Sequence, residues 1–216
     1  MSSKQMIKSS IKSTKRLTAA FYQSTAVVDM SRELIGKVLV STVDGLYTSG
    51  IIIETEAYKA PEDKASHAYG HRRTARNEVM FSTGGVAYIY ICYGIHHLFN
   101  VVTGPKDLPH AILIRALEPL EGIDIMLERR KMTKPDFKIT RGPGALSVAM
   151  GFRSVMSGQS LHSGQSSFYI EDRKIRYPEE AIVSGPRIGV ENSGESASWP
   201  FRYYVRNNPY VSAKRT

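Results

Sequence analysis

The sequence predicts an α+β fold: a single domain built on a curved, mostly antiparallel β-sheet, flanked by helices and carrying a protruding β-hairpin. Three observations predict it. Runs rich in β-branched and aromatic residues, such as YTSGIIIETEAY and HAILIRALEP, recur along the chain. They do not alternate regularly with helical segments, which argues against a parallel sheet of βαβ units. Two of them, VAYIYICYGI and HLFNVVTG, meet at Gly94, where the chain can reverse. The 216 residues are enough for one domain with a sizeable core.

Residues 1–16 read as a flexible basic arm, polar, Ser/Lys-rich and without a core pattern, leaving residues 17–216 as one domain. STAVVDMSRELIG is the first helix and KVLVSTV a short strand. YTSGIIIETEAY is a long strand. Residues 59–80, polar with Gly and Pro, form an excursion holding about one helical turn. The two runs around Gly94 form the hairpin, and HAILIRALEP is a further strand. LEGIDIMLERR places Ile123, Met126 and Leu127 on one helical side. GPGALSVAMGF is a helix after a Gly-Pro-Gly entry, and SSFYIED and FRYYVRNNPYV are late strands.

The formal net charge is +9, and it is clustered. Lys4, Lys8, Lys12, Lys15 and Arg16 all precede the first acid, Asp29, and no acid follows Glu195. HRRTAR holds Arg72, Arg73 and Arg76, and another basic stretch runs from Arg129 to Arg141. Separate basic clusters suit a polyanion such as nucleic acid, or serve solubility alone. No apolar run approaches the roughly 20 residues that span a bilayer. The lone Cys92 rules out an intramolecular disulfide and fits an intracellular setting: cytoplasm or nucleoid in a bacterium, nucleus in a eukaryote. One cysteine and six scattered histidines make no metal-ligand pattern, so neither metal nor other cofactor is expected.

Four features bear on chemistry. In IIIETEAY, strand alternation puts Glu54, Glu56 and Tyr58 on one face. Such carboxylates are either acid/base groups or a solvated face, but this strand begins apolar on both faces. Arg115 lies within the apolar ILIRALEP and needs an anionic partner if buried, with Glu56 the obvious candidate; the alternative is a sheet-edge Arg reaching water. RGPGAL offers Arg141 and the backbone N–H groups of Gly142 and Gly144 to a phosphate, or is only a tight turn. In VAYIYICYGI, Tyr88 and Tyr90 share one phase while Tyr93 falls on the other, beside Gly94.

Taken together, IIIETEAYKAPEDKASHAYG, RTARNEVMF, VAYIYICYGIHHLFNVV, AILIRALEPLEG, RGPGALSVAMG, GPRIGVENSGE and WPFRYYVRNNPYVS resemble the alkyladenine (3-methyladenine) DNA glycosylases, the type that also occurs in mammals. The resemblance spans residues 21–212. It implies an enzyme of base excision repair that flips a damaged purine from duplex DNA and hydrolyses its N-glycosidic bond. By resemblance Glu56 activates the water, and Arg115 and the backbone carbonyl of Ile188 help hold it. Tyr58, His67 and Tyr90 sandwich the flipped base, and Asn100 disfavours the exocyclic amino group of undamaged guanine. Tyr93 enters the duplex to fill the gap, while Tyr88 has no role beyond structure. Where many members carry Lys after GPG, this chain has Ala145, leaving backbone N–H groups to meet a phosphate. No lysine matches a catalytic position, which implies hydrolysis without strand cleavage. The expected partner is double-stranded DNA containing damaged purines, met by a monomer without membrane or obligate protein partners. A non-catalytic reader of distorted nucleic acid would keep the basic clusters and Tyr93 but would not need Glu56.

Overall fold

The protein is described by a computed structural model over residues 15–212. The basic arm expected over residues 1–16 lies outside the described residues except for Lys15 and Arg16. Those two form β1 (Lys15–Arg16), paired with Asp172 and Glu171. Next come α1 (Ala19–Tyr22), α2 (Val27–Glu33), β2 (Val38–Ser41) and the long β3 (Thr48–Tyr58). The excursion after β3 holds two 3₁₀ turns, Tyr69–His71 and Glu78–Phe81. β4 (Ala87–Cys92), β5 (His96–Thr103) and β6 (His110–Glu121) follow, then α3 (Ile123–Arg129) and α4 (Pro143–Met150). The chain closes with β7 (Phe168–Asp172), β8 (Ile182–Gly185) and β9 (Arg202–Val205).

The strands form one curled antiparallel sheet in the order β1-β7-β2-β3-β6-β5-β4, with β9 pairing both β3 and β8. The α+β class therefore holds. β3 is its centre: β6 runs along one edge, and the other edge passes from β2 to β9 near Glu54. The whole of β3 up to Tyr58 is buried, so both of its faces are covered. α2 packs on β3 and β6 through Val27 and Met30, and α4 packs on β5 and β6. Pro143 starts α4 behind Gly142, and Gly151 closes it in a left-handed conformation (φ 79°), letting the Phe152 N–H reach Ser147 at 2.8 Å. That delivers Phe152 to the core, stacked on Phe99 at 4.5 Å and edge-on to Phe168 at 5.5 Å. Among the described residues no helix is long and apolar enough to cross a membrane.

Two local outcomes shape the site. β4 and β5 pair in register from Ala87↔Val101 to Cys92↔His96, and the turn between them has Tyr93 (φ 51°) and Gly94 (φ 74°) as central residues, closed by the Ile95 N–H on the Cys92 carbonyl at 3.2 Å. Two consecutive positive φ values follow the sign pattern of a type I′ turn, whose twist matches that of the strands it joins. The outer edge of β4 is closed by the segment after α4: Gly158 N–H donates to the Ala87 carbonyl, Ala87 N–H to Gln159, and Ile89 N–H to the Ser157 hydroxyl. By contrast, the strand expected over FRYYVRNNPYV stops at Val205. Asn207 adopts a left-handed φ of 59°, and the Asn208 side chain takes the Tyr210 N–H at 3.0 Å, turning the chain out of the ladder.

Candidate active site

Glu54 and Glu56 lie where β3 exchanges one neighbour for another, and both are 0% exposed. A solvated carboxylate face is therefore excluded. The β3–β6 ladder slips here: Ile52 opposes Leu117, Glu54 opposes Ala116 and Thr55 opposes Ile114, so Arg115 has no residue directly across. The irregularity aims its side chain between the two carboxylates. Arg115 is 7% exposed, so it does not reach out at a sheet edge. Its Nη1 donates to Glu56 Oε2 at 3.1 Å and its Nε to Glu54 Oε1 at 3.3 Å. Burial disfavours its charge, but Glu56 and then Glu54 outweigh that and hold the guanidinium protonated.

Glu56 is held from three sides. Besides Arg115, the Tyr58 hydroxyl donates to Oε2 at 2.9 Å and the Ile188 N–H to Oε1 at 2.7 Å. An ionised carboxylate has about four lone-pair positions, so one stays open for a water. It is the N–H of Ile188 that touches the carboxylate. The preceding Arg187 fixes this loop: fully buried, it grips both oxygens of Asp63 and donates to the carbonyls of Ala57 (2.8 Å) and Ser196 (3.0 Å). It also lies over the Tyr58 ring at 4.7 Å.

Tyr58 is one wall of a cavity of about 360 Å³ that also meets His67, Tyr88, Tyr90 and Asn100. Gly189 and Val190, from the loop that holds Glu56, also line it. The expected Tyr58, His67, Tyr90 and Asn100 thus face one space. Tyr90 stacks on Tyr88 at 5.3 Å, and His67 meets Tyr90 edge-on at 4.6 Å and bonds the Tyr88 hydroxyl through Nδ1 at 2.9 Å. Asn100 spends both amide hydrogens on the carbonyls of Tyr88 (3.0 Å) and Leu98 (3.2 Å), which fixes its orientation. Desolvation keeps the phenols protonated, with Tyr88 pushed up to about 12 and Tyr58 and Tyr90 also raised well above their ordinary value. A desolvated, aromatic, electron-rich slot of this kind suits a flat, cationic ring.

Tyr93, at the β4–β5 turn, is 84% exposed and reaches the mouth of the same cavity. Arg76 sits 5.4 Å over Tyr90 and donates to the Ile91 carbonyl, so it belongs to the cavity wall. Arg72 faces an adjoining cleft of about 380 Å³, which shares His67 and Arg76. Arg73 is engaged by Glu78 and Asp107. Arg141 donates to the Val211 carbonyl at 2.9 Å. At the start of α4, Gly144 is required by contact: a Cβ there would stand 2.8 Å from His96 Nδ1.

Several residues escaped the sequence reading. Tyr88, expected to be structural only, lines the cavity and orients His67. Arg187 and Asp63 gave no pattern because 124 positions separate them. Glu54 looked like a twin of Glu56, and it shares Arg115 with it, but its other partners are Arg202 and Ser212.

Burial lowers His67 from its ordinary 6.5, with Arg76 adding to the effect, and burial lowers His110 likewise. Just below 6.5 the unfolded chain therefore binds more protons than the folded one, and stability falls as pH falls through that window. Urea midpoints at about pH 7.5 and 5.5 should show this loss. The double change His67→Gln/His110→Gln should flatten it, and an unaltered pH slope in that variant would refute the assignment.

The chain matches the family model described as methylpurine-DNA glycosylase over residues 20–209. A Chlamydia abortus protein provisionally named a 3-methyladenine DNA glycosylase is 48% identical over 190 residues, covering 88% of this chain and 97% of its own length. A Bacillus cytotoxicus protein with the same provisional name is 42% identical over 200 residues, covering 89% and 97% respectively.

Proposed function

The chain belongs to the methylpurine-DNA glycosylase family, a group of DNA-repair hydrolases, and on that premise we propose that it flips alkylated or deaminated purines out of duplex DNA and hydrolyses the N-glycosidic bond with a water activated by Glu56. One observation carries this reading: a fully buried carboxylate, gripped by Arg115, Tyr58 and the Ile188 N–H, stands one hydrogen bond behind an aromatic cavity. A non-catalytic reader of distorted DNA has no need to bury that carboxylate at such cost.

Flipping costs a few kcal/mol, least for damaged or mispaired bases. Tyr93 offsets part of it by stacking in the gap, and its exposed position on a tight turn suits that task. Tyr58, His67 and Tyr90 then hold the base. For a 3- or 7-alkylated purine, which is cationic, each favourable ring contact is worth ~0.5–2 kcal/mol. Asn100, locked by two backbone carbonyls, cannot move aside for an extra exocyclic amino group. The cationic base is a good leaving group, so the barrier lies in the oxocarbenium-like sugar. Glu56 stabilises that charge and takes the proton from the attacking water, which Arg115 and the Ile188 carbonyl help hold. Among the described residues lining the cavity there is no lysine, which supports simple hydrolysis leaving an abasic site. The basic clusters, with Arg72, Arg73, Arg76, Arg141 and the Gly142–Gly144 entry, are assigned to the DNA backbone, and the enzyme acts as a monomer.

The test is release of free base from a panel of single-lesion duplexes and matching single strands, without added metal. Free 3-methyladenine should appear. Tyr93→Ala should lose more on the duplex than on the single strand, and equal losses would remove the intercalation role. No release from any lesion would overturn the proposed function.

A further inference from the structure

Glu54 takes no part in the chemistry just described, yet its carboxylate accepts four hydrogen bonds. They come from Arg115 Nε (3.3 Å), Arg202 Nε (2.6 Å), the Ser212 N–H (2.7 Å) and the Ser212 hydroxyl (2.7 Å). Arg202 also donates to the Ser212 carbonyl, and Arg115 Nη2 lies 3.4 Å from the Ser212 hydroxyl. Both arginines and both glutamates are buried. A buried carboxylate so thoroughly bonded is ionic glue, and what it glues is the side chain that reaches Glu56.

We propose that Glu54, together with Arg202 and Ser212, is a positioning residue for the hydrolytic centre: it holds Arg115 in register with Glu56 and balances the second buried guanidinium, so that Glu56 does not face two uncompensated positive charges. This rests on reading Glu56 as the base. The charged and titratable groups around Glu56 are Glu54 and Tyr58 on its own strand, Arg115 on β6, and Arg202, which opposes it on β9. Tyr90 on β4 and Arg187 on the Ile188 loop, the latter matched by Asp63, complete the set. Two carboxylates against two guanidinium groups remain, and the cluster is neutral. Removing either Glu54 or Arg202 unbalances it, with opposite signs.

The experiment is the single-turnover rate of base release as a function of pH on a duplex bearing one cationic alkylated purine, alongside duplex affinity. In Glu54→Gln the surplus positive charge should move the acid limb to lower pH by about one unit and lower the plateau by about tenfold or more. In Arg202→Gln the limb should move to higher pH. In the double variant it should return to the wild-type position. Affinity for the damaged duplex should stay within a few-fold, because Glu54 does not line the cavity. Acid limbs that stay in place in both single variants would reduce Glu54 to a fold-stabilising role and overturn the proposal. If the single variants do not fold, the neutral double variant decides: a wild-type limb supports the charge balance, and a displaced one refutes it. Absence of release by the wild-type protein is a separate failure, that of the function itself.

Discussion

Glu56→Gln should lower single-turnover release of 3-methyladenine by roughly 10²–10⁴-fold, the usual contribution of a general base, while affinity for the damaged duplex stays within about threefold. The amide keeps the shape of the side chain but can neither accept the proton nor offset positive charge at the sugar. All three donors around Glu56 point at it, so the Gln NH₂ group must face at least one of them. The unmade bond costs about 1–3 kcal/mol of stability, which a fold of this size tolerates. A rate within tenfold of wild type would remove Glu56 from the catalytic role.

The largest effect on stability is expected from Asp63→Ala, which leaves the Arg187 guanidinium buried without its counter-ion. Breaking one partner of a buried pair costs about 3–5 kcal/mol, and for a domain this size that lowers Tm by roughly 10 °C. Activity should fall as well, because Arg187 anchors the loop whose Ile188 N–H holds Glu56. Replacing both partners, Asp63→Leu with Arg187→Met, should recover much of the stability and little of the activity, since the packing returns but the anchor does not. Thermal denaturation of the three proteins checks this, and a loss below about 1 kcal/mol in Asp63→Ala would show that the pair carries little.

Most of the sheet was legible in the sequence because its strands are runs of β-branched and aromatic residues, and β3, β4, β5 and β6 fall where those runs lie. β8 and the early end of β9 were not, since IVSG is too short to carry a pattern and the Asn207–Asn208 turn overrides the apolar residues after it. At the site, the shared face of Glu54, Glu56 and Tyr58 followed from alternation alone, and the need of Arg115 for an anion followed from its apolar setting. Alternation could not separate Glu54 from Glu56. Their difference comes from which residues of β6 and β9 lie opposite each and from a slip in the β3–β6 ladder, both products of tertiary pairing. The Arg187–Asp63 pair is hidden for the same reason. Tyr88 shares a phase with Tyr90, so the pattern was present, but only the position of His67 gives it a use.

The segment after α4 that bonds the outer edge of β4 has a consequence for behaviour in crowded conditions. β4 ends the path of the sheet and carries the cavity aromatics, and a bare edge there would invite pairing with the corresponding strand of another molecule. With Ala87 and Ile89 already bonded to residues 157–159 and the Ile91 carbonyl taken by Arg76, that template is interrupted along the strand. Molecules gathered at high local density along one damaged duplex can sit side by side without zipping their sheets together. Loosening the segment, for instance by Gly158→Pro, exposes the edge to self-association.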